Sequence, residues 1–167
     1  PEAAFVFSDA ELIDEQNRPG GRLWLAVGFS RRSQRRFRFE TLLPRNFVTG
    51  ATLAFRAAYR PRILPIPREW HHDAWIALVL ASLAPGVPIA EALIQYRQHA
   101  GQQIGARTRS LRDEYAAASR VTIATFDRLI VQFEELRSRL QSWDEPPGSA
   151  LAALDGKLAH LAHRRHL

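Results

Sequence analysis

The residues best suited to chemistry lie in the triplet His71, His72 and Asp73, which is followed closely by Trp75. An apolar pattern of helical period begins at this triplet, so Asp73 is expected in the first turn of a helix. A carboxylate there is favoured by the helix dipole and by unpaired backbone N–H groups. Asp73 therefore has two interpretations: a helix N-cap, or a carboxylate on a rigid element that acts as a general base.

Two further polar clusters follow predicted strands. The segment Tyr96-Arg97-Gln98-His99 closes an apolar stretch, and His99 is a metal ligand, a phosphate contact or an ordinary surface histidine. Asp9 follows a short apolar stretch near the start of the chain. Carboxylates at strand ends of α/β proteins often face a site, although Asp also forms turns.

Several common chemistries are excluded by residue types and motifs. The 167 residues include no Cys, which excludes disulfides, thiolate metal sites and a Cys nucleophile. The sequence has no glycine-rich phosphate loop, no GxSxG motif and no HExxH motif. His71 and His72 are adjacent, and this spacing does not suit two ligands of one zinc ion on a helix.

The first part of the chain predicts short elements. Residues 4–7 predict a buried strand that ends at Ser8 and Asp9, and polar residues up to the Pro-Gly-Gly at 19–21 predict a turn. Residues 23–29 fit either a strand or a short helix, and the pattern leaves both open.

The elements around the His-His-Asp triplet are clearer. Gly50, within the apolar segment 47–55, predicts a bend or a close backbone approach. Prolines at 61, 65 and 67 predict an extended, non-helical connection. A helix is predicted over residues 72–84, and residues 87–96 predict either a pair of strands or one continuous extended segment.

The C-terminal part predicts an αα-hairpin. Residues 108–143 contain no Pro or Gly and carry an apolar stripe spaced by three and four residues. After a Pro-Pro-Gly break, Ser149 is expected to cap a second helix whose apolar line is Leu151, Leu154, Leu158 and Leu161. This line serves either packing alone or self-association.

Composition is that of a globular protein, with 46% hydrophobic and 24% charged residues, so a disordered chain is excluded. The net charge of +6 is concentrated in two stretches: Arg31, Arg32, Arg35, Arg36 and Arg38, and the terminal His163, Arg164, Arg165 and His166. These are solvated surfaces or contacts with an anionic surface such as lipid headgroups. No apolar run is long enough to span a membrane. The chain lacks Met, so we expect it to be processed or an excerpt of a longer protein.

Four segments occur in an order that resembles the second half of family 2 glycosyltransferases, especially the bacterial rhamnosyltransferase-like group. They are FVFSDAELIDE, RNFVTGATLAFR, HHDAWIALVLAS and EALIQYRQHAGQQIGA. The corresponding family patterns are a YSDAELIDE strand and turn, a VTGxTxxF segment, an HDxW helix start and a YRQH element. The resemblance covers residues 1 to about 106.

The resemblance implies roles for the matching residues. Asp73 resembles the general base that takes the proton of the acceptor hydroxyl. His99 resembles the C-terminal histidine that reaches a divalent metal or the diphosphate, with Arg97 beside it as a cofactor-binding residue. On the acceptor side, the resemblance places Thr49, Gly50, Asp9, His72 and Trp75.

By this resemblance the fold is α/β: residues 1–106 are the C-terminal part of a GT-A glycosyltransferase domain, and residues 107–167 are a helical hairpin. It implies an inverting, nucleotide-sugar-dependent transferase for bacterial cell-surface polysaccharide, with Mg²⁺ or Mn²⁺ and a glycan or lipid-linked acceptor, in the cytoplasm or at the inner face of the membrane. The family's DxD motif and nucleotide-binding strands are expected before Pro1, so this fragment is expected to be inactive and to bind no metal tightly.

Two alternatives remain. One is a non-catalytic interaction module that retains a degenerate glycosyltransferase-like half-domain and binds a partner through its hairpin. The other is a nucleic-acid-binding domain, which the sequence disfavours. Its basic residues are grouped in one loop, where only Phe37 and Phe39 are available to stack on bases.

Overall fold

The computed structural model describes residues 3–29, 37–99 and 122–166. Single turns of 3-10 helix lie at Gly50–Thr52 and Ala57–Tyr59. The strands and α-helices of these ranges are, in order, β1 (Phe5–Ile13), β2 (Pro19–Arg22), α1 (Leu23–Ala26), α2 (Phe39–Leu42), β3 (Leu53–Phe55), α3 (Arg60–Ile63), α4 (His72–Leu83), β4 (Gly86–Arg97), α5 (Ile123–Gln141) and α6 (Gly148–Arg165).

The sheet is built around β1. Strand β4 runs parallel to β1 along its whole length, from the Phe5–Gly86 pair to the Ile13–Arg97 pair. Strands β3 and β2 are antiparallel to β1 and pair with its first and last residues respectively. Because β4 occupies one edge of β1, the two short strands share the other edge. Parallel neighbours need a crossover, and α4 supplies it. The protein is therefore mixed α/β, as the sequence predicts at this level.

The first strand is longer than expected. It was predicted to end at Ser8 and Asp9, but β1 continues to Ile13 and both polar residues are buried within it. The turn predicted at residues 19–21 is also wrong. The chain reverses at 14–18, where Asn17 has a φ of 63°, and Pro19 begins the exposed edge strand β2. Proline is tolerated at the first residue of an edge strand, where its missing N–H breaks no interior hydrogen bond.

The undecided segment after β2 is a short helix. Residues 23–29 form α1 followed by a turn, and Trp24 and Phe29 are buried there. Their rings join those of Phe7 and Phe37 in an aromatic cluster with centroid separations of 4.6–5.8 Å. This cluster packs on one face of β1.

The predicted helix over residues 72–84 is confirmed and ends at Leu83, while residues 87–96 lie in the one continuous strand β4. Helix α4 packs against the sheet through residues without solvent exposure, among them Trp75, Val79 and Leu80. The connection before it is only partly extended. Pro61 lies in the first turn of α3, where its fixed φ suits a helix start.

The helical hairpin is present in the described residues. Leu136 and Leu140 of α5 and Leu154 of α6 are completely buried, and Phe133 and Leu161 are nearly so. The N-cap of α6 is Pro147, so the prediction of a Ser149 cap is wrong. The described part of α5 starts after Thr122, whose side chain forms a capping box with Thr125. Residues 108–121 of the predicted helix, and the expected boundary at residue 106, lie outside the described ranges.

The hairpin is attached to the α/β part by several contacts. The Trp70 ring packs on Trp75 and edge-on to Phe133, each with centroids 5.6 Å apart. Arg139 of α5 donates to the carbonyls of Arg62, Leu64 and Pro65. Helix α5 therefore supports the segment that leads into α4. No helix in the described ranges is long and apolar enough to cross a membrane.

Candidate functional site

The Asp73 side chain is held at the start of α4 by three donors. Its Oδ1 accepts the N–H of Ala74 at 2.7 Å and the side-chain amide of Asn46 at 3.3 Å. Its Oδ2 accepts the backbone N–H of Gly50 at 3.3 Å. The N-cap residue of α4 is His71, so the interpretation of Asp73 as the N-cap is wrong. Asp73 instead joins the helix to the segment that precedes β3.

Gly50 makes the close backbone approach that the sequence predicts. A Cβ atom on Gly50 would overlap the His72 imidazole, so a larger residue would displace either the loop or the ring. Thr49 precedes Gly50, and its carbonyl accepts hydrogen bonds from both the N–H and the hydroxyl of Thr52. The structure thus brings together four predicted residues: Thr49, Gly50, His72 and Asp73.

Asn46 completes this group and was missed by the sequence analysis. Its Oδ1 accepts the Val48 N–H at 3.0 Å, and its Nδ2 donates to the Val48 carbonyl at 2.9 Å. An Asn two residues before the group it binds is a recognisable turn signal. Its second contact, with Asp73, joins residues far apart in sequence, and no local pattern indicates it.

Two residues predicted on the acceptor side are buried. Asp9 is only 5% exposed; its carboxylate accepts the Arg22 Nε at 2.9 Å and the Trp24 N–H at 3.0 Å. Trp75 has no exposed surface, and its indole N–H donates to the Ile63 carbonyl at 2.8 Å. Both side chains stabilise the elements around the site from within.

The other predicted residues lie at the far end of β4. Arg97 donates to the carbonyls of Asp14 and Glu15 and to the Asn17 side chain, so it contacts the β1–β2 turn. His99 follows the strand and is exposed. The described hydrogen bonds of Asp73 do not reach this segment. Asp73 is linked to the β3 edge of β1, whereas Arg97 pairs with Ile13 on the opposite edge.

The Asp14 carboxyl group in the β1–β2 turn has a lowered pKa. The backbone N–H of Arg18, foremost, holds the pKa of Asp14 below its usual value, with further hydrogen bonds from the Arg18 side chain and the Gln16 N–H. An ionised Asp14 thus orders the turn that Arg97 contacts.

A divalent metal was expected at His99. Within the described ranges, no group of three or more His, Cys, Asp or Glu side chains is arranged to hold a metal ion. One exposed histidine does not fit a metal by itself, because Mg²⁺ and Mn²⁺ prefer several oxygen ligands. A metal ion bound at His99 would need further ligands from residues outside the described ranges.

Comparison with known protein families, with curated proteins and with solved structures finds no match to this chain. The resemblance to family 2 glycosyltransferases therefore rests on the four sequence segments.

Proposed function

We propose that this chain is the acceptor-side and catalytic-base portion of an inverting, nucleotide-sugar-dependent glycosyltransferase with a GT-A fold. The observation that carries the proposal is the Asp73 carboxylate at the start of α4. It is half-buried and fixed from two directions, by Asn46 and by the Gly50 N–H. Two of the four resemblance segments, RNFVTGATLAFR and HHDAWIALVLAS, supply these groups.

In the proposed reaction, Asp73 removes the proton of an acceptor hydroxyl as that oxygen attacks the anomeric carbon of the sugar. The bond from the anomeric carbon to the nucleoside diphosphate breaks at the same time, and the configuration inverts. A fixed carboxylate suits this role because general bases act from defined positions. A rigid helix start, with Trp75 anchored in the core, supplies such a position.

The expected partners follow from the resemblance. They are a nucleotide-sugar donor, a glycan or lipid-linked acceptor, and Mg²⁺ or Mn²⁺ in the complete enzyme; nucleic acid is not expected. We place the enzyme in the cytoplasm, in contact with the inner face of an anionic membrane. The basic residues at 163–166 are exposed on the last turn of α6, while those at 31–36 lie outside the described ranges.

The proposal is tested with the longer chain that carries the segment expected before Pro1. The protein is incubated with a panel of nucleoside diphosphate sugars and membrane glycolipid extract, and nucleoside diphosphate release and product anomeric configuration are measured. Acceptor-dependent release with inversion supports the proposal. No turnover of any donor, together with tight capture of a protein partner by the hairpin, would favour the interaction module.

A further inference from the structure

We propose that Asn46 is a positioning residue that turns the Asp73 carboxylate so that Oδ2, and not Oδ1, receives the acceptor proton. This inference rests on the proposed function. It is carried by the distribution of donors around the two carboxylate oxygens, which differs between them.

Each oxygen of an ionised carboxylate has about two lone-pair sites. Oδ1 has both sites engaged, by the Ala74 N–H at 2.7 Å and by the Asn46 amide at 3.3 Å. Oδ2 accepts the Gly50 N–H at 3.3 Å and has no second described donor. Oδ2 is therefore the atom with a free site for an incoming hydroxyl.

The orientation of the Asn46 amide is fixed by its other contacts. Its oxygen faces the Val48 N–H, and one hydrogen of its Nδ2 faces the Val48 carbonyl. The remaining Nδ2 hydrogen is the one available to Asp73. A flipped amide would place its nitrogen against the Val48 N–H and lose all three contacts, so the backbone of residue 48 determines which group Asn46 presents.

A second role must be separated from positioning, because Asn46 also shapes the turn before Thr49. The variant Asn46→Asp makes the separation, since it keeps an oxygen for the Val48 N–H but replaces the donor to Asp73 by a repelling oxygen. The chain's only other asparagine gives the matched control. Asn17 lies in the exposed β1–β2 turn, and Asn17→Asp makes the same change of charge away from α4.

The experiment measures kcat, donor KM and thermal stability for the longer chain. The variants are Asn46→Ala, Asn46→Asp, Asn17→Asp, Asp73→Asn and the double variant Asn46→Ala/Asp73→Asn. We expect Asn46→Ala to lower kcat by roughly tenfold to a hundredfold, as for loss of a hydrogen bond to a charged group. We expect Asn46→Asp to lower kcat at least as much. The donor KM of both Asn46 variants, and the kcat of Asn17→Asp, should stay near the parent values.

The double variant decides the mechanism, because groups that act through one another are non-additive. Without the Asp73 carboxylate, Asn46→Ala should cause no further loss of kcat. An equal loss in both backgrounds, or an unchanged kcat in Asn46→Ala and Asn46→Asp, would overturn the positioning role. If Asp73→Asn itself transfers sugar at the parent rate, the proposed function fails and the inference fails with it. Asn46→Asp provides the comparison if Asn46→Ala does not fold.

Discussion

Replacing Asp9 by Ala should lower the stability of the fold, and any loss of activity should follow from that loss of stability. Asp9 was expected beside the binding cleft, but the structure buries its carboxylate between β1 and α1. The Trp24 N–H that it accepts is one of the free donors at the start of α1. Asp9 thus satisfies a helix end from a neighbouring strand.

The magnitude is worked from the two contacts that Asp9 makes with other elements; its Oδ1 also accepts the N–H of the adjacent Ala10. Leaving the buried Trp24 N–H without an acceptor costs about 1–3 kcal/mol. The ion pair with Arg22 adds only about 0.5–1 kcal/mol, since the Arg22 side chain is 48% exposed and solvent screens the pair. The sum is about 2–4 kcal/mol, which corresponds to a fall in Tm of roughly 5–15 °C for a domain of this size.

The assay is thermal or denaturant unfolding of the wild type, Asp9→Ala, Asp9→Asn and Arg22→Ala. Asp9→Asn should lose less than Asp9→Ala, because its side-chain oxygen still accepts the Trp24 N–H. Arg22→Ala should lose least. An Asp9→Ala protein with wild-type stability and no transferase activity would contradict the structural role and indicate that Asp9 acts in the binding cleft.

Three further predictions concern packing and charge. Gly86→Ala should lower the free energy of unfolding by about 1–3 kcal/mol, because a Cβ there would overlap the buried Phe5 ring. Gly156→Ala is the control: this glycine has open space around it inside α6, so the substitution should raise the free energy of unfolding by about 1 kcal/mol. Equal effects of the two substitutions would contradict the close contact between Gly86 and Phe5. Leu154→Ala should cost about 2–5 kcal/mol because this side chain is completely buried in the hairpin, and an unchanged melt would show that α6 is peripheral. Burial lowers the pKa of Lys157 in the folded protein below its ordinary value of 10.5. At pH values between the lowered pKa and the ordinary one, the unfolded chain binds more protons than the folded one, so the free energy of unfolding should rise with pH across this alkaline window. Because Lys157 is the only lysine, one NMR resonance follows its titration, and an undepressed pKa would contradict its packing on α5.

Elements defined by their own periodicity could be predicted. Helix α4, strand β4 and the hairpin each carry an apolar pattern that continues over several turns or residues, and Pro85-Gly86 marks the end of α4. The close approach at Gly50 was also predictable, because a glycine within an apolar segment commonly marks a bend or a site where another group comes close to the backbone.

Elements that depend on distant partners could not be predicted. Ser8 and Asp9 look like strand terminators, yet β1 continues through them because Arg22 and Trp24 satisfy the buried carboxylate. The same contact holds the start of the helix at residues 23–26, where the sequence pattern left a strand and a helix open. Asn46 belongs to the site for a similar reason, since it reaches a carboxylate on a helix that begins far along the chain.

The assignment of Asp73 as the general base is tested by the Asp73→Asn variant of the longer chain. The amide oxygen can still accept the Ala74 N–H and the Asn46 amide, but its nitrogen then faces the Gly50 N–H, so Tm should fall only modestly, by the loss of one hydrogen bond. The amide cannot take a proton, so turnover should fall by roughly 10²–10⁴-fold while donor binding persists. An Asp73→Asn enzyme that transfers sugar at the parent rate would contradict the account.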